Sequence, residues 1–316
     1  MSKQYTSNLL MVRPASFQFN YETAVSNAFQ KSLDGLTVEE IKLKAIEEFD
    51  AYVSTLEEHK INVTVIQDTA VPAKPDAIFP NNWISMHENG SVYLYPMCTE
   101  NRRLEIRPEI IDELKKTFVV NTVNDLSTAV KNNKFLEGTG SIIFDHINKI
   151  AYACLSPRTD KELFVDYCTK LNYEAVYFTS SDEQNNLVYH TNVMLTIGDT
   201  FAVICLDSIK DKSEQISVKE KLEKTGHELI DITFEQMNAF AGNMLQVQNT
   251  DDKTYLVMSE TSLDSLTSEQ IKQIEKHTAI LSVEIPTIET IGGGSARCML
   301  AEIYLEEKQI ISNSMT

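Results

Sequence analysis

Short apolar runs separated by turn residues recur along this chain, and after every second run comes an amphipathic stretch long enough for a helix. The pattern predicts strands over 83–87 and 91–95 joined by the turn Glu88-Asn89-Gly90, a helix over about 108–116 and a strand over 118–123. The same order follows with strands at 141–145 and 150–154, a helix over about 160–171 and a strand at 175–178. Strands at 193–197 and 201–206 open a third copy, with Ser213 as the expected helix cap, a helix end near Thr225-Gly226 and a strand at 228–231. A fourth has strands at 244–248 and 254–258, a helix announced by the capping box Thr267-Ser268-Glu269-Gln270 and a strand at 281–284. At the N-terminus, 9–12, a helix over about 37–58 and 63–66 predict a fifth unit, which a C-terminal strand at 301–305 would complete.

The position that opens each unit is small and polar: Asn82, Thr139, Asn192, Asn243 and Cys298, spaced by 51 to 57 residues. A fixed period of this size marks a radial or stacked architecture. The expectation is an α/β fold: a five-bladed propeller of pseudo-symmetric ββαβ modules, with residues 1–316 forming one catalytic domain around a central channel. An ordinary α/β domain with evenly spaced strands satisfies the same spacing. In a ring, the five opening residues would meet at one mouth.

Composition narrows the partners. At 316 residues and 42% apolar, the chain has ample material for a large core. With 46 acidic against 28 basic residues its net charge is −18, which disfavours nucleic acid and an anionic membrane surface. Five widely spaced cysteines include no zinc-type cluster. The N-terminus lacks the apolar core of a signal peptide, and the apolar runs are too short to span a bilayer. A reduced, cytoplasmic protein is expected, without metal or organic cofactor. A homo-oligomer is compatible with the sequence.

Chemistry concentrates near the C-terminus. Gly292-Gly293-Gly294-Ser295-Ala296-Arg297 places a glycine loop before Cys298, where a substrate could approach the thiol unhindered. The loop lacks the spacing of a phosphate or dinucleotide cradle; a structural turn ahead of a buried cysteine is the alternative. His190 stands at a strand entry that the repeat sends to the same mouth, which makes it a candidate proton shuttle. Glu137, between Leu136 and Gly138, could orient His190 or bind a nitrogen group. His59, His227 and His277 lie in polar helical contexts and are expected to be solvated. Cys98, Cys154, Cys168 and Cys205 read as ordinary small apolar residues.

These residues resemble a known set. Asp76-Ala-Ile-Phe79-Pro-Asn81-Asn82, Leu136-Glu137-Gly138, Ser156-Pro-Arg158-Thr159, His190-Thr-Asn192 and Gly-Gly-Gly-Ser-Ala-Arg-Cys298 occur in the order seen in guanidino-group-modifying enzymes. That superfamily contains arginine deiminases, amidinotransferases and dimethylarginine dimethylaminohydrolases, and its fold is the five-bladed α/β propeller called a pentein. Within it, the chain resembles bacterial citrulline-utilisation hydrolases through Val12-Arg13-Pro14 and Phe79-Pro80-Asn81-Asn82-Trp83. The resemblance implies Cys298 as nucleophile, His190 as general acid/base and Glu137 as the acid of the central motif. It implies Asp76 for the substrate α-ammonium group, with Arg158 and Arg103 for the α-carboxylate. Arg297, next to the thiol, would lower its pKa, bind carboxylate or point away.

The departures from the pattern bear on the substrate. Asn82, beside Asn81, and Asn192 stand where relatives carry acids that grip a guanidinium, and Gly140 replaces a third acid. A buried cation without counter-charge costs several kcal/mol, whereas an amide supplies both donor and acceptor to a neutral ureido group. The expected reaction is therefore cysteine-dependent hydrolysis of citrulline to ornithine, ammonia and CO2. The alternatives are a deiminase, dimethylaminohydrolase or amidinotransferase acting on a guanidino substrate, or a non-catalytic amino-acid-binding propeller.

Overall fold

Alternating apolar runs that end in tight turns build hairpins, and a third strand can lie parallel to a hairpin only after a crossover helix. This happens four times, and the two ends of the chain supply a fifth sheet of the same pattern. The computed structural model describes residues 3–32 and 35–309, and within them five three-stranded sheets each pair one antiparallel and one parallel neighbour with a central strand.

The first sheet is made from both ends of the chain. Strand β1 (Asn8–Arg13) leads to helix α1 (Val38–Glu58) and then to the parallel strand β2 (Asn62–Gln67). The second module has β3 (Ile84–Met86), β4 (Ser91–Leu94), α2 (Pro108–Thr117) and β5 (Thr122–Asp125). The third has β6 (Ile143–Asp145), β7 (Ile150–Cys154), α3 (Lys161–Leu171) and β8 (Glu174–Phe178). The fourth has β9 (Leu195–Ile197), β10 (Phe201–Ile204), α4 (Lys212–Lys224) and β11 (Glu228–Asp231). The fifth has β12 (Leu245–Gln248), β13 (Thr254–Ser259), α5 (Ser268–Glu275) and β14 (Ala279–Val283). Helix α6 (Pro286–Gly292) then leads to β15 (Ala301–Glu302), which closes the first sheet antiparallel to β1.

The segments that open the modules lie against one another. Pro80–Asn82 packs on Gly138–Ser141 and on Ala296–Met299, and Gly138–Ser141 packs also on Thr191–Val193. At other points the modules are stitched by Gln4, whose Nε2 donates to the carbonyls of Phe144 (2.8 Å) and Ile197 (3.2 Å).

Helix α1 shows how the sequence reaches the site. Thr37 and Glu40 form a capping box, and Ile41, Ala45, Phe49, Tyr52 and Leu56 recur at helical spacing to make its buried face. That face holds the loop before Cys298: Tyr52 Oη donates to the Ala296 carbonyl at 3.3 Å.

Four expectations need correction. The run Phe118-Val119-Val120 is not part of a regular strand, because the Phe118 N–H closes helix α2 on Leu114 (2.8 Å), so β5 starts at Thr122. Helix α4 is capped by Asp211, whose carboxylate accepts the N–H groups of Ser213 and Glu214; a charged acceptor suits the positive helix end better than Ser213 does. The C-terminal strand ends at Glu302, with Ile303 reaching only an isolated bridge to Met86. His227 is buried rather than solvated and lies 3.9 Å from Asp145.

Truncating Phe49 to alanine removes a fully buried ring from the α1 face. It should lower the unfolding free energy by about 3–5 kcal/mol in a denaturant titration.

Candidate active site

The loop carrying Cys298 is fixed before any chemistry is considered. The Glu48 carboxylate accepts the N–H groups of Thr287 (2.9 Å) and Ile288 (3.0 Å) at the start of α6. At the other end Gly293 takes a left-handed φ of 62°, which glycine adopts without strain. Tyr189 Oη then donates to the Gly293 carbonyl (2.7 Å), and Ser295 Oγ donates to Glu289 (2.6 Å). A single tight turn, Ala296–Met299, delivers Cys298 to the interior with 4% of its surface exposed. The glycine loop is therefore not an open approach. Phe79 lies within about 3 Å of where a Gly294 side chain would stand, and Asn27 and Gln30 cover Gly293.

The polar contacts of the Cys298 thiol among the described residues are amides: Asn192 Nδ2 at 3.4 Å and Asn243 Nδ2 at 3.3 Å, with Asn243 Oδ1 at 3.6 Å. His190 is not among them. It opens the turn Thr191–Val193, its ring packs on Tyr189 at 4.6 Å, and its Nε2 meets Glu137 Oε2 at 2.7 Å. Burial pushes His190 down to about 4, against the pull of Glu137. Burial also opposes ionisation of Glu137, but Arg158, the His190 hydrogen bond and Arg102 outweigh it and hold the carboxyl at about 2. Near neutral pH the pair is thus an ionised Glu137 and a neutral His190 that donates from Nε2. The second Glu137 oxygen accepts the Cys98 N–H at 2.9 Å.

Gly140 is required by crowding. A β-carbon there would stand 2.5 Å from Asn82 Nδ2 and 2.7 Å from His190 Nδ1, so no side chain, acidic or otherwise, fits between them.

Asp76, Asn82, Arg102, Arg158, His190 and Cys298 wall one cavity of about 10 Å3, room for about one water. A short segment closes it. Asn20 and Thr23 donate to Asp76 Oδ2 (2.8 and 3.1 Å), and Arg158 donates to the Thr23 carbonyl and to Ser26 Oγ. Asn27 and Gln30 bond the carbonyls of Gly293 and Ile291. A larger open groove of about 890 Å3 lies beyond Tyr189, but its walls hold none of Cys298, His190 or Glu137.

Three expectations change here. Arg103 turns away, donating to the carbonyls of Met97 and Cys98. Its neighbour Arg102 enters the site instead, bonding Asn82 Oδ1 (2.7 Å) and Glu105, 3.8 Å from Asp76 and 4.0 Å from Glu137. In a four-residue helix, Glu100–Arg103, only Arg102 has a buried acid three residues on; that spacing was the available signal. Arg297 also points away from the cavity, to the Leu300 carbonyl and Glu302, 2.7 Å each, because successive side chains of a 3-10 turn leave about a third of a turn apart. Asn81 does not line the cavity; its Oδ1 accepts from Asn82 Nδ2 at 3.0 Å. Sequence reasoning also passed over Asn243 as a site residue and the whole of 20–30, whose short helix Tyr21–Ala24 has no periodic signal.

Some buried atoms have no protein partner among the described residues: Asp76 Oδ1, Asn192 Oδ1 and Asn81 Nδ2. Two of these are acceptors in or beside the cavity, which suits a ligand bearing N–H groups. Among the described residues no group of three or more His, Cys, Asp or Glu is placed to hold a metal.

Residues 13–305 match the family described as N,N dimethylarginine dimethylhydrolase, eukaryotic. The chain belongs to that family. It is accordingly a member of the pentein guanidino-modifying hydrolase superfamily. No curated protein matches the sequence. Among solved structures, the fold resembles that of ArgZ, an arginine dihydrolase from the ornithine–ammonia cycle in cyanobacteria, at 16% identity and a TM-score of 0.73. The match covers 95% of this chain and 40% of ArgZ, so the chain spans less than half of that protein. It covers 98% of the ArgZ N-terminal domain, seen as a cysteine-to-serine mutant bound to substrate, at 17% identity and a TM-score of 0.72 over 95% of this chain. A dimethylarginine dimethylaminohydrolase adduct with S-methyl-L-thiocitrulline matches at 14% identity and a TM-score of 0.62, covering 96% of this chain and 100% of that one.

Two outcomes follow from this family member's geometry. Gly140→Ala should fold but lose about 1–3 kcal/mol of stability, as overpacking of a filled interior does, and lose most turnover, since the added methyl displaces His190 or Asn82; thermal melts and steady-state rates check both. The second concerns acid. Between His190's ordinary 6.5 and its folded value of about 4, the unfolded chain binds a proton that the folded chain does not. The contribution is full above 6.5 and lost as pH falls through 4. Unfolding free energies measured in urea from pH 7 to 4 should therefore decline, and His190→Gln should show a shallower decline.

Proposed function

We propose that this chain is a single catalytic domain whose five modules close as a propeller, and that it hydrolyses the ureido group of citrulline or a close relative. The observation that carries the reading is the wall around Cys298. It presents the amides of Asn192 and Asn243, and the carboxylates within reach are already matched to Arg102, Arg158 and His190. With Asp76 given to the α-ammonium group, a guanidinium beside Asn192 and Asn243 would be a desolvated cation without an anion of its own, at a cost of several kcal/mol by rough measure. A neutral ureido group only needs its hydrogen bonds met.

Asp76, with its free Oδ1, takes the α-ammonium group, and Arg158 takes the α-carboxylate through a bidentate fork. Both are held in the closed site by residues 20–30, so substrate entry exchanges those internal bonds for substrate ones and moves the segment outward. Asn82 keeps one amide hydrogen for the substrate, its oxygen being held by Arg102.

The Cys298 thiolate attacks the ureido carbon. The C–N bond breaks as His190 passes to the departing nitrogen the proton given up by the thiol, leaving a carbamoyl-type thioester on Cys298. Water, deprotonated by His190, then cleaves the S–C bond and restores the thiol. The carbamic acid released falls to CO2 and amine, so citrulline plus water gives ornithine, ammonia and CO2. Glu137 stabilises the imidazolium that forms transiently.

A second reading follows from the relatives, which include an arginine dihydrolase and a dimethylarginine dimethylaminohydrolase: a guanidino substrate enters first. Residues Pro108–Thr117 and the other helices include no span long and apolar enough to cross a membrane among those described, and a cytoplasmic enzyme on a free amino acid fits that.

Ammonia release should be measured in parallel with citrulline, arginine and methylated arginines. Citrulline should be the preferred substrate, and Cys298→Ala should abolish release from it. Far faster turnover of arginine would overturn the ureido reading, and full activity of the alanine variant would overturn the mechanism.

A further inference from the structure

The thiol environment holds one residue to which nothing above gives a role in reactivity. Asn243 follows Phe240-Ala241-Gly242 in the turn before β12 and is fully buried. Its turn is locked to the neighbouring module, because a side chain at Gly242 would meet the Val193 carbonyl at 2.3 Å. The direction of its amide is fixed as well. Nδ2 donates to the Asn192 carbonyl at 2.9 Å, which leaves that same nitrogen facing Cys298 Sγ at 3.3 Å. Asn192 aims a second Nδ2 at the sulfur from 3.4 Å.

Sulfur so placed can be served in two ways. A neutral thiol has one hydrogen to give, and Asn243 Oδ1, at 3.6 Å, is there to take it. A thiolate has no hydrogen and accepts both amide N–H groups, and hydrogen bonds to an ionised acceptor are about twice as strong as neutral ones. The pair thus favours the charged form. Among the described residues no cation bonds the sulfur: His190 bonds Glu137, Arg297 bonds Glu302, and Arg102 and Arg158, which wall the same cavity, are paired with Glu105 and Glu137.

We propose that Asn243, acting with Asn192, stabilises the Cys298 thiolate, so that the nucleophile is activated by two amide dipoles rather than by an ion pair with histidine. The proposal rests on the reading of Cys298 as the nucleophile.

The test is the pH dependence of Cys298 alkylation by iodoacetamide, followed at the Cys298 peptide by mass spectrometry so that the other four cysteines do not interfere. It is run on the parent, Asn243→Ala and the near-isosteric Asn243→Asp. Loss of one donor to a charged acceptor should slow alkylation near neutrality by about tenfold, moving the midpoint up by roughly one pH unit. Asp, which replaces a donor by an anion, should move it further. kcat should fall with KM little changed, and raising the pH should restore part of the rate in the alanine variant. An unchanged midpoint in a folded Asn243 variant would overturn the proposal. If neither variant folds, Asn192→Ser, which removes the other amide donor but keeps the backbone carbonyl that Asn243 bonds, must give the upward shift, and failure to do so overturns it equally. Failure of the underlying reading looks different: Cys298→Ala would then retain turnover whatever the alkylation midpoints show.

Discussion

A carboxylate with no access to water stands at the centre of this molecule. An isolated buried anion would take up a proton or pull the structure open. Glu137 does neither, because four groups from different parts of the chain meet it: the His190 ring, the Cys98 N–H, and the guanidinium groups of Arg158 and Arg102. Each partner is itself held. Arg158 stacks on Tyr189 at 4.8 Å and bonds the segment 20–30. Tyr189 reaches Gly293, and Arg102 reaches Asn82 and Glu105. The modules that supply the site are joined through this one anion.

That arrangement limits what the cavity can accept. Arg102 and Arg158 face Asp76, Glu105 and Glu137, and burial, offset in part by Arg102, raises the Glu105 carboxyl to about 7. The charges inside the wall are therefore close to balanced before any substrate arrives. In the proposed reading, a zwitterionic amino acid with a neutral side-chain head adds one charge of each sign at Asp76 and Arg158 and leaves the balance intact. A substrate with one more positive charge does not. Asn82 and Asn192 bear on this in different ways from those their sequence positions suggest. Asn82 is tied to Arg102 and works partly through it, while Asn192 addresses the thiol directly.

The repeat was legible because hairpin, helix and strand each leave a local mark: turn residues, a helical apolar face, a capping box. Thr37 and Thr267 cap helices as their sequences imply, and the five opening positions do come to neighbouring segments. What was not legible depends on phase or on long-range contact. Arg102 and Arg103 are the same residue type one step apart, and a hundred-degree turn of a short helix decides which is buried. Arg297 adjoins Cys298 in sequence, yet its side chain leaves the turn in another direction, toward Leu300 and Glu302. The role of Gly140 as empty space exists only because His190 and Asn82 arrive from other modules. The segment 20–30 carries no period at all, and its contacts run to Asp76, Arg158 and Gly293, far along the chain.

Closure and thiol activation are linked by the same physics. A cavity with room for about one water gives a thiolate little hydration, so the charge must be met by fixed groups or remain protonated. A cation beside the sulfur would meet it, but would also repel a positively charged head group and be drawn toward Glu137. Amide donors avoid both effects. They stabilise the anion when it forms and leave the net charge unchanged when sulfur becomes bound to carbon. In the proposed mechanism the amides hold the thiolate left when Cys298 gives up its proton, and a neutral His190 is in the state needed to take that proton and pass it to the substrate nitrogen.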